Sequence, residues 1–327
     1  MKELNQSSNK QKYNNSLVEI SAEMKHSYPV FIVGAPRSGT SILYRTLQKH
    51  SVFRPKEINL TETQIFSYSN RSYLLENENC VNPLDYMLYD QKIYIQFLAS
   101  IKKIRLMHRV VHMIFGYQSI NLKLANRVKL WWYFNLNHLV LRSFYYFAGK
   151  AREPNRLVEK SPGNVSHSIK LMLAFPNSKL LYIYRHPIDV YTSYVKRSKI
   201  EAEAKWTKLT ADEFCRIYSN NTRLALKYSR RIKDNFHLVR YENFTQKADI
   251  EFKKICRFLK IPFEKEAITE TNPDLTKWPI DPYLFAEITP KTKKWQDYIS
   301  FESAKYIEIQ LTEEMKVLNY ERYTNHK

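Results

Sequence analysis

The 327-residue chain carries 52 Lys and Arg against 32 Asp and Glu, a formal charge of +20, with 44% apolar and 14% aromatic residues. Such a composition is globular and excludes a disordered chain, and the length accommodates one large α/β domain or two smaller ones. The positive balance favours an anionic partner (nucleic acid, an acidic membrane surface, or a phosphorylated or sulfated small molecule), although a solvated basic surface gives the same composition.

The basic residues are spread along the whole sequence, which argues against a single nucleic-acid-binding tail. Cys80, Cys215 and Cys256 are widely spaced with no C-x-x-C, and read as free thiols in a reducing compartment.

Residues 1–27 are polar and read as a flexible leader, with no apolar run to act as signal peptide or anchor. Residues 29–33 form a short apolar run ending at Gly34, the pattern of a buried parallel strand. Ile42, Leu43 and Leu47 give residues 41–49 one apolar helical face. Residues 61–150 hold several predicted helices. The most apolar stretch, 128–148, contains Lys129, Asn135, Asn137, His138 and Arg142, too many polar groups for a bilayer span. A second strand is predicted at 156–159, a loop at 160–164, a helix at 167–174 and a turn at 175–177. The third strand is 179–184, and Pro187 suits the first turn of the helix after it. A long helix over about 212–234 and a fourth strand at 236–240 follow. Pro273, Pro279, Pro282 and Pro290 mark 271–292 as a long surface loop, and a last helix is predicted at 303–318. Strands alternating with helices give an α/β fold with a central parallel sheet flanked by helices.

The loop after the first strand reads Gly34-Ala35-Pro36-Arg37-Ser38-Gly39-Thr40-Ser41, and it takes two of only five glycines in the chain. Gly34 and Gly39 have G-x-x-x-x-G spacing. Glycine lets the backbone turn tightly enough for several N–H groups to converge on an oxyanion. The following helix adds its unpaired N–H donors and the positive end of its dipole, and Ser38, Thr40 and Ser41 add hydroxyl donors. The Gly-Lys-Ser/Thr ending of nucleotide hydrolases is missing: the cation is Arg37, inside the loop, and no acidic strand end offers a Mg²⁺ site. A plain strand-to-helix turn, and a kinase or NTPase with an altered phosphate loop, are the competing readings.

This octapeptide resembles the 5′-phosphosulfate loop of sulfotransferases that use 3′-phosphoadenosine 5′-phosphosulfate (PAPS). Residues 181–194, a strand followed by Arg185-His186-Pro187 and a serine, Ser193, eight residues after the arginine, resemble that family's 3′-phosphate motif. Phe175-Pro176-Asn177-Ser178-Lys179 and Val239-Arg240-Tyr241-Glu242-Asn243 are similar to family segments too. The similarity runs from about residue 29 to 260 and none of its motifs covers 65–150. Independently of it, Arg185 at a strand's carboxyl end suits bidentate bonds to phosphate, and Ser193, one or two turns into the next helix, faces the same region.

The resemblance implies a P-loop nucleoside-triphosphate-hydrolase-like sulfotransferase fold in one domain over 28–327, with 61–150 as a helical insertion on the acceptor side. It implies PAPS as co-substrate and no metal. Residues 34–41 would hold the 5′ end of the donor, and Arg185 and Ser193 its 3′-phosphate. Lys293 or Lys294, in a basic stretch ahead of Trp295, would fold over the nucleotide. Glu57 matches the place of the glutamate base in tyrosylprotein and heparan-type sulfotransferases, and Lys56-Glu57 resembles the Lys-Glu pair of the heparan group. Glu62 is the second choice. Lys160 would point at the sulfate beside Arg37.

His108 and His112 share a predicted helix face, but no Glu follows His108, so they read as ordinary helix positions and not as a zinc site or a base. The expected activity is transfer of a sulfuryl group to a hydroxyl acceptor. Aromatic and basic residues suit a glycan, a phenol, a lipid or a tyrosyl peptide; the Lys56-Glu57 pair favours carbohydrate. A non-catalytic module binding an anionic glycan is the remaining alternative. The expected location is the cytoplasm, with no nucleic acid partner, no transmembrane segment, and peripheral membrane contact and oligomeric state left open.

Overall fold

The computed structural model describes residues 28–54, 156–200, 208–269, 288 and 295–325. The predicted leader, the 61–150 insertion, Cys80, His108, His112 and the proline-rich loop apart from Ile288 lie outside the described residues.

Among the described residues, four short strands form a parallel sheet: β1 (Val30–Gly34), β2 (Val158–Lys160), β3 (Lys179–Tyr184) and β4 (Phe236–Arg240), in the order β2-β1-β3-β4. Every residue of β1 is buried, because helices cover both faces of the sheet. In register, Ile32 stands opposite Lys160, Gly34 opposite Ile183, and Tyr184 opposite Arg240. All four carboxyl ends therefore lie along one edge. The chain passes from β1 to β2 on one side and then to β3 on the other. The strand order thus reverses beside β1, the place where open α/β sheets hold ligands.

On one face, Val30, Ile32, Ile183 and Val239 pack with α1 (Thr40–Lys49), α5 (Tyr241–Gln246) and α6 (Ala248–Leu259), and with Ile268 of the short α7 (Glu266–Thr269). On the other, the ring of Tyr182 stacks on Phe236, which meets Tyr228 of α4 (Ala211–Arg231). Phe31 meets Phe175, at the end of α2 (Ser168–Ala174). A second cluster joins α3 (Pro187–Ile200) and α4 to α8 (Phe301–Gln310) and α9 (Thr312–Val317) through Ile188, Tyr194, Phe214, Ile307 and Met315. Thr210 and Glu213 form a reciprocal capping box that starts α4.

Three predicted boundaries move. The second strand is 158–160 rather than 156–159: the Arg156 N–H bonds the Val52 carbonyl outside the sheet, and its side chain turns inward to bond the carbonyls of Tyr28 and Leu259. The loop after it winds into a 3₁₀ helix (Pro162–His167). The predicted last helix divides at Leu311 into α8 and α9, where the Thr312 hydroxyl competes for the carbonyls of Glu308 and Ile309. Cys215 and Cys256 are free and buried, and burial pushes both thiols up to about 12.

Candidate active site

The loop between β1 and α1 runs under tight backbone constraint. A Cβ on Gly34 would lie 2.5 Å from the carbonyl oxygen of Ile183, so only glycine lets the loop lie this close to β3. Gly39 caps α1 in the left-handed region (φ 105°), and a Cβ there would meet the Tyr241 ring at 2.4 Å. Arg37 is a non-glycine residue with φ 71°, a conformation held only where the surroundings enforce it. No side chain caps α1 and its first turn has no acidic residue, so its first N–H groups and the positive end of its dipole are left for an anion.

The loop hydroxyls divide. Thr40 is buried and Ser41 half-buried at the start of α1. Ser38 departs from the expectation of a hydroxyl aimed at the anion. It is fully buried, with Oγ 2.6 Å from the carbonyl of Ala35 and 3.0 Å from that of Ile183. Its single proton serves the loop and β3.

The second motif stands at the next strand end. The Arg185 carbonyl accepts from Tyr218 Oη at 2.7 Å, its guanidinium lies over the Tyr241 ring at 4.4 Å, and Nη2 is 3.6 Å from Asp189 Oδ2. Nε of Arg185 is buried and finds no hydrogen-bond partner among the described residues. A buried donor of this kind is costly unless a ligand oxygen satisfies it. Burial raises the Asp189 carboxyl above its ordinary value, and Arg185 opposes that shift. Ser193 lies two turns into α3, and its Oγ accepts from Arg37 Nε at 3.1 Å. A hydroxyl that accepts one bond still has its own proton to donate. The two predicted motifs therefore meet physically, 156 residues apart in sequence.

Lys160 ends β2 and is buried, with its Cα opposite Ile32, two residues before the loop. Its neighbour Glu159 is wholly buried, and Glu159 Oε1 accepts from Ser161 Oγ at 2.5 Å. In the 3₁₀ turn that follows, Asn164 Nδ2 is buried without a hydrogen-bond partner among the described residues. No group of three or more His, Cys, Asp or Glu able to hold a metal occurs among the described residues, and no described helix is long and apolar enough to cross a membrane.

The sequence over residues 29–265 matches the model of the sulfotransferase family. The chain belongs to that family. Its structure is similar to the sulfotransferase domain from the Synechococcus PCC 7002 olefin synthase, with a TM-score of 0.56 and 16% identity over 90% of this chain and 96% of that one. It is also similar to the sulfotransferase domain from the curacin biosynthetic pathway, with a TM-score of 0.53 and 19% identity over 90% and 98% of the two chains. At these identities the likeness is one of fold. No curated protein matches the sequence.

In this sulfotransferase the sheet edge brings together residues 34–41, Lys160, Arg185 and Ser193. Glu57, Glu62, Lys293 and Lys294 lie outside the described residues. Sequence reasoning missed Asp189 and Tyr241 as parts of the site. The four-residue spacing between Arg185, just ahead of α3, and Asp189, in its first turn, was a usable signal for the first. Tyr241 lies within the family-like segment Val239–Asn243, but nothing local announces that its ring backs both Gly39 and Arg185.

Proposed function

We propose that the protein transfers the sulfuryl group of PAPS to a hydroxyl of a carbohydrate acceptor. What supports this most is the Arg37–Ser193 bond, which sets the 5′ loop and the 3′-phosphate motif side by side on one sheet edge. The residues fit such a donor: an uncapped helix N-terminus, a cradle that admits only glycine at two points, and a buried arginine with an unsatisfied donor. PAPS supplies an activated sulfuryl group on a phosphate leaving group. Arg185 and Ser193 hold the 3′-phosphate, and the backbone of residues 34–41 holds the 5′ end. Arg37 and Lys160 offset the charge that grows on the bridging oxygen. Glu57 takes the acceptor's proton as the new O–S bond forms and the bridging S–O bond breaks in line. Arg37 being inside the loop, with no lysine after Gly39, disfavours nucleotide hydrolysis. The acceptor follows from the Lys56-Glu57 resemblance, and the free thiols Cys215 and Cys256 accord with a cytoplasmic site of action.

The test is a labelled-sulfate transfer screen from PAPS across glycans, phenols, tyrosyl peptides and other alcohols, the last because the two structural neighbours come from an olefin synthase and the curacin pathway. Transfer to glycans above the rest is expected. Calorimetry should show Mg²⁺-independent binding of the desulfated product, 3′,5′-phosphoadenosine (PAP), and none of ATP. Binding of ATP without PAP would overturn the donor assignment.

A further inference from the structure

The carboxyl end of the chain is built onto the back of the Arg185 motif. After α9, Asn319 adopts the left-handed conformation (φ 60°), with Tyr320 N–H returning to the Met315 carbonyl at 2.8 Å. This turn carries Tyr320–Tyr323 to the sheet edge. Tyr320 Oη donates to Glu242 Oε2 at 2.8 Å, while Glu242 Oε1 accepts the His186 backbone N–H at 2.9 Å. The His186 ring stacks on Tyr323 at 3.7 Å and meets Tyr320 edge-on at 5.1 Å. Glu308, fully buried, accepts Tyr323 N–H at 2.7 Å and Thr324 Oγ1 at 2.5 Å, which fixes the segment in place. Finally, Tyr323 Oη donates to Asp189 Oδ2 at 3.3 Å, the same oxygen that stands 3.6 Å from Arg185 Nη2.

An acidic group beside a phosphate-binding arginine needs a reason. By charge alone, Asp189 opposes a 3′-phosphate, and its removal would tighten binding. Orientation gives the reason. The guanidinium is planar, and its bonds to an oxyanion depend on the angle of its edge. Tyr241 sets its face, Tyr218 holds its backbone, and Asp189 alone of these meets its rim. Asp189 is in turn fixed by a hydroxyl from the far end of the chain.

We propose that Asp189 and Tyr323 are positioning residues of the donor site: through Asp189, the Tyr323 hydroxyl fixes the edge that Arg185 turns to the 3′-phosphate, so the segment Tyr320–Tyr323 sets the preference for a 3′-phosphorylated adenosine. This rests on the assignment of Arg185 to the donor's 3′-phosphate.

The test compares PAP with adenosine 5′-phosphate, which lacks the 3′ group, as calorimetric ligands of the full chain. Tyr323→Phe keeps the ring on His186 and removes only the hydroxyl. It is expected to weaken PAP about fivefold while adenosine 5′-phosphate stays within about twofold. Asp189→Asn is expected to weaken PAP at least as much, despite the lost negative charge. The double variant should be no worse than Asp189→Asn alone, as for two residues acting through one contact. An unchanged PAP to adenosine 5′-phosphate ratio in Tyr323→Phe, or tighter PAP binding in Asp189→Asn, overturns the proposal while leaving the donor assignment standing. A native chain that shows no preference for PAP overturns that assignment, and this inference with it. Tyr323→Phe decides the matter should Asp189→Asn fail to fold.

Discussion

Arg37 Nε donates to Ser193 Oγ at 3.1 Å, so the loop after β1 and the second turn of α3 are joined directly. The bond fixes a side chain whose own backbone is left-handed, and it leaves the serine's proton to donate. Ser193→Ala removes both functions, and PAP binding should weaken about tenfold by calorimetry. Arg37→Ala and Arg185→Ala should each abolish measurable PAP binding. Arg37→Lys should not restore it, because lysine has no counterpart of Nε within the planar fork. Glu57→Ala should bind PAP normally and lose turnover. Retained turnover in all of these would refute the site assignment.

The glycines give a sharper contrast. Gly39→Ala places a methyl 2.4 Å from the Tyr241 ring at φ 105°, whereas a Cβ on Gly163 meets nothing within 4 Å. Gly39→Ala should cost about 2 kcal/mol or more, lowering Tm by roughly 4 °C, and should impair PAP binding because Tyr241 also carries Arg185. Gly163→Ala should leave Tm within about 1 °C and binding unchanged. Equal Tm values for the two variants, by calorimetric scanning, would contradict the strain argument.

His186 makes stability depend on pH. Its Nδ1 accepts the Ile188 N–H at 3.2 Å, while its Nε2–H donates to the Glu321 carbonyl at 2.9 Å. Burial lowers its pKa, against the raising influence of the Glu321 carbonyl and of Asp189. Burial also lowers His167 and His237. As pH falls below about 6.5, the unfolded chain takes up protons that the folded chain refuses, so stability declines until the folded pKa values are reached. His186→Asn keeps a cap acceptor for α3 and removes the titration. Its Tm should start lower, through the lost ring stack on Tyr323, and fall less steeply between pH 6.5 and pH 5. An identical slope would show that His186 does not carry the effect.

How much of this was legible depended on whether the signal was local. The strands β1, β3 and β4 were readable as apolar runs bounded by glycine, proline or asparagine, and the loop at 34–41 as a glycine-spaced turn around a cation. That Arg185 and Ser193 lie on the same sheet edge as the loop was readable, because a strand end and a helix phase together place their side chains. The Arg156 side chain, by contrast, is turned inward by carbonyls 128 and 103 residues away, and no pattern near 156 foretells it. The brace of Tyr320 and Tyr323 on His186 and Asp189 is equally non-local, since two tyrosines after a helix read as any surface aromatics. Ser38 is the instructive case inside a legible motif. Its place in the loop marked it as a donor to the anion, but its hydroxyl is held by the carbonyls of Ala35 and of Ile183 in β3.

The stretch leading toward Glu57 is tied down from an unexpected quarter. Glu264, just after α6, accepts the Ser51 N–H at 2.8 Å and also binds the Ser51 hydroxyl. His50 Nε2 lies 2.9 Å from the Pro262 carbonyl, and Arg156 N–H bonds the Val52 carbonyl at 2.9 Å. Burial alone would raise the Glu264 carboxyl, but the two bonds from Ser51, aided by His50 and Arg54, hold it below the ordinary carboxylate value. Its contribution is therefore present above about pH 4.5 and lost as pH falls further. Because Glu264 is partly exposed, Glu264→Ala should cost only about 1 kcal/mol, with Glu264→Gln intermediate. The larger effect should fall on chemistry. If residues 50–54 aim the segment leading to Glu57, Glu264→Ala lowers kcat several-fold while PAP affinity stays within about twofold. Parallel losses of kcat and PAP affinity would instead mean that the clamp supports the donor loop. An unchanged kcat would separate it from catalysis altogether.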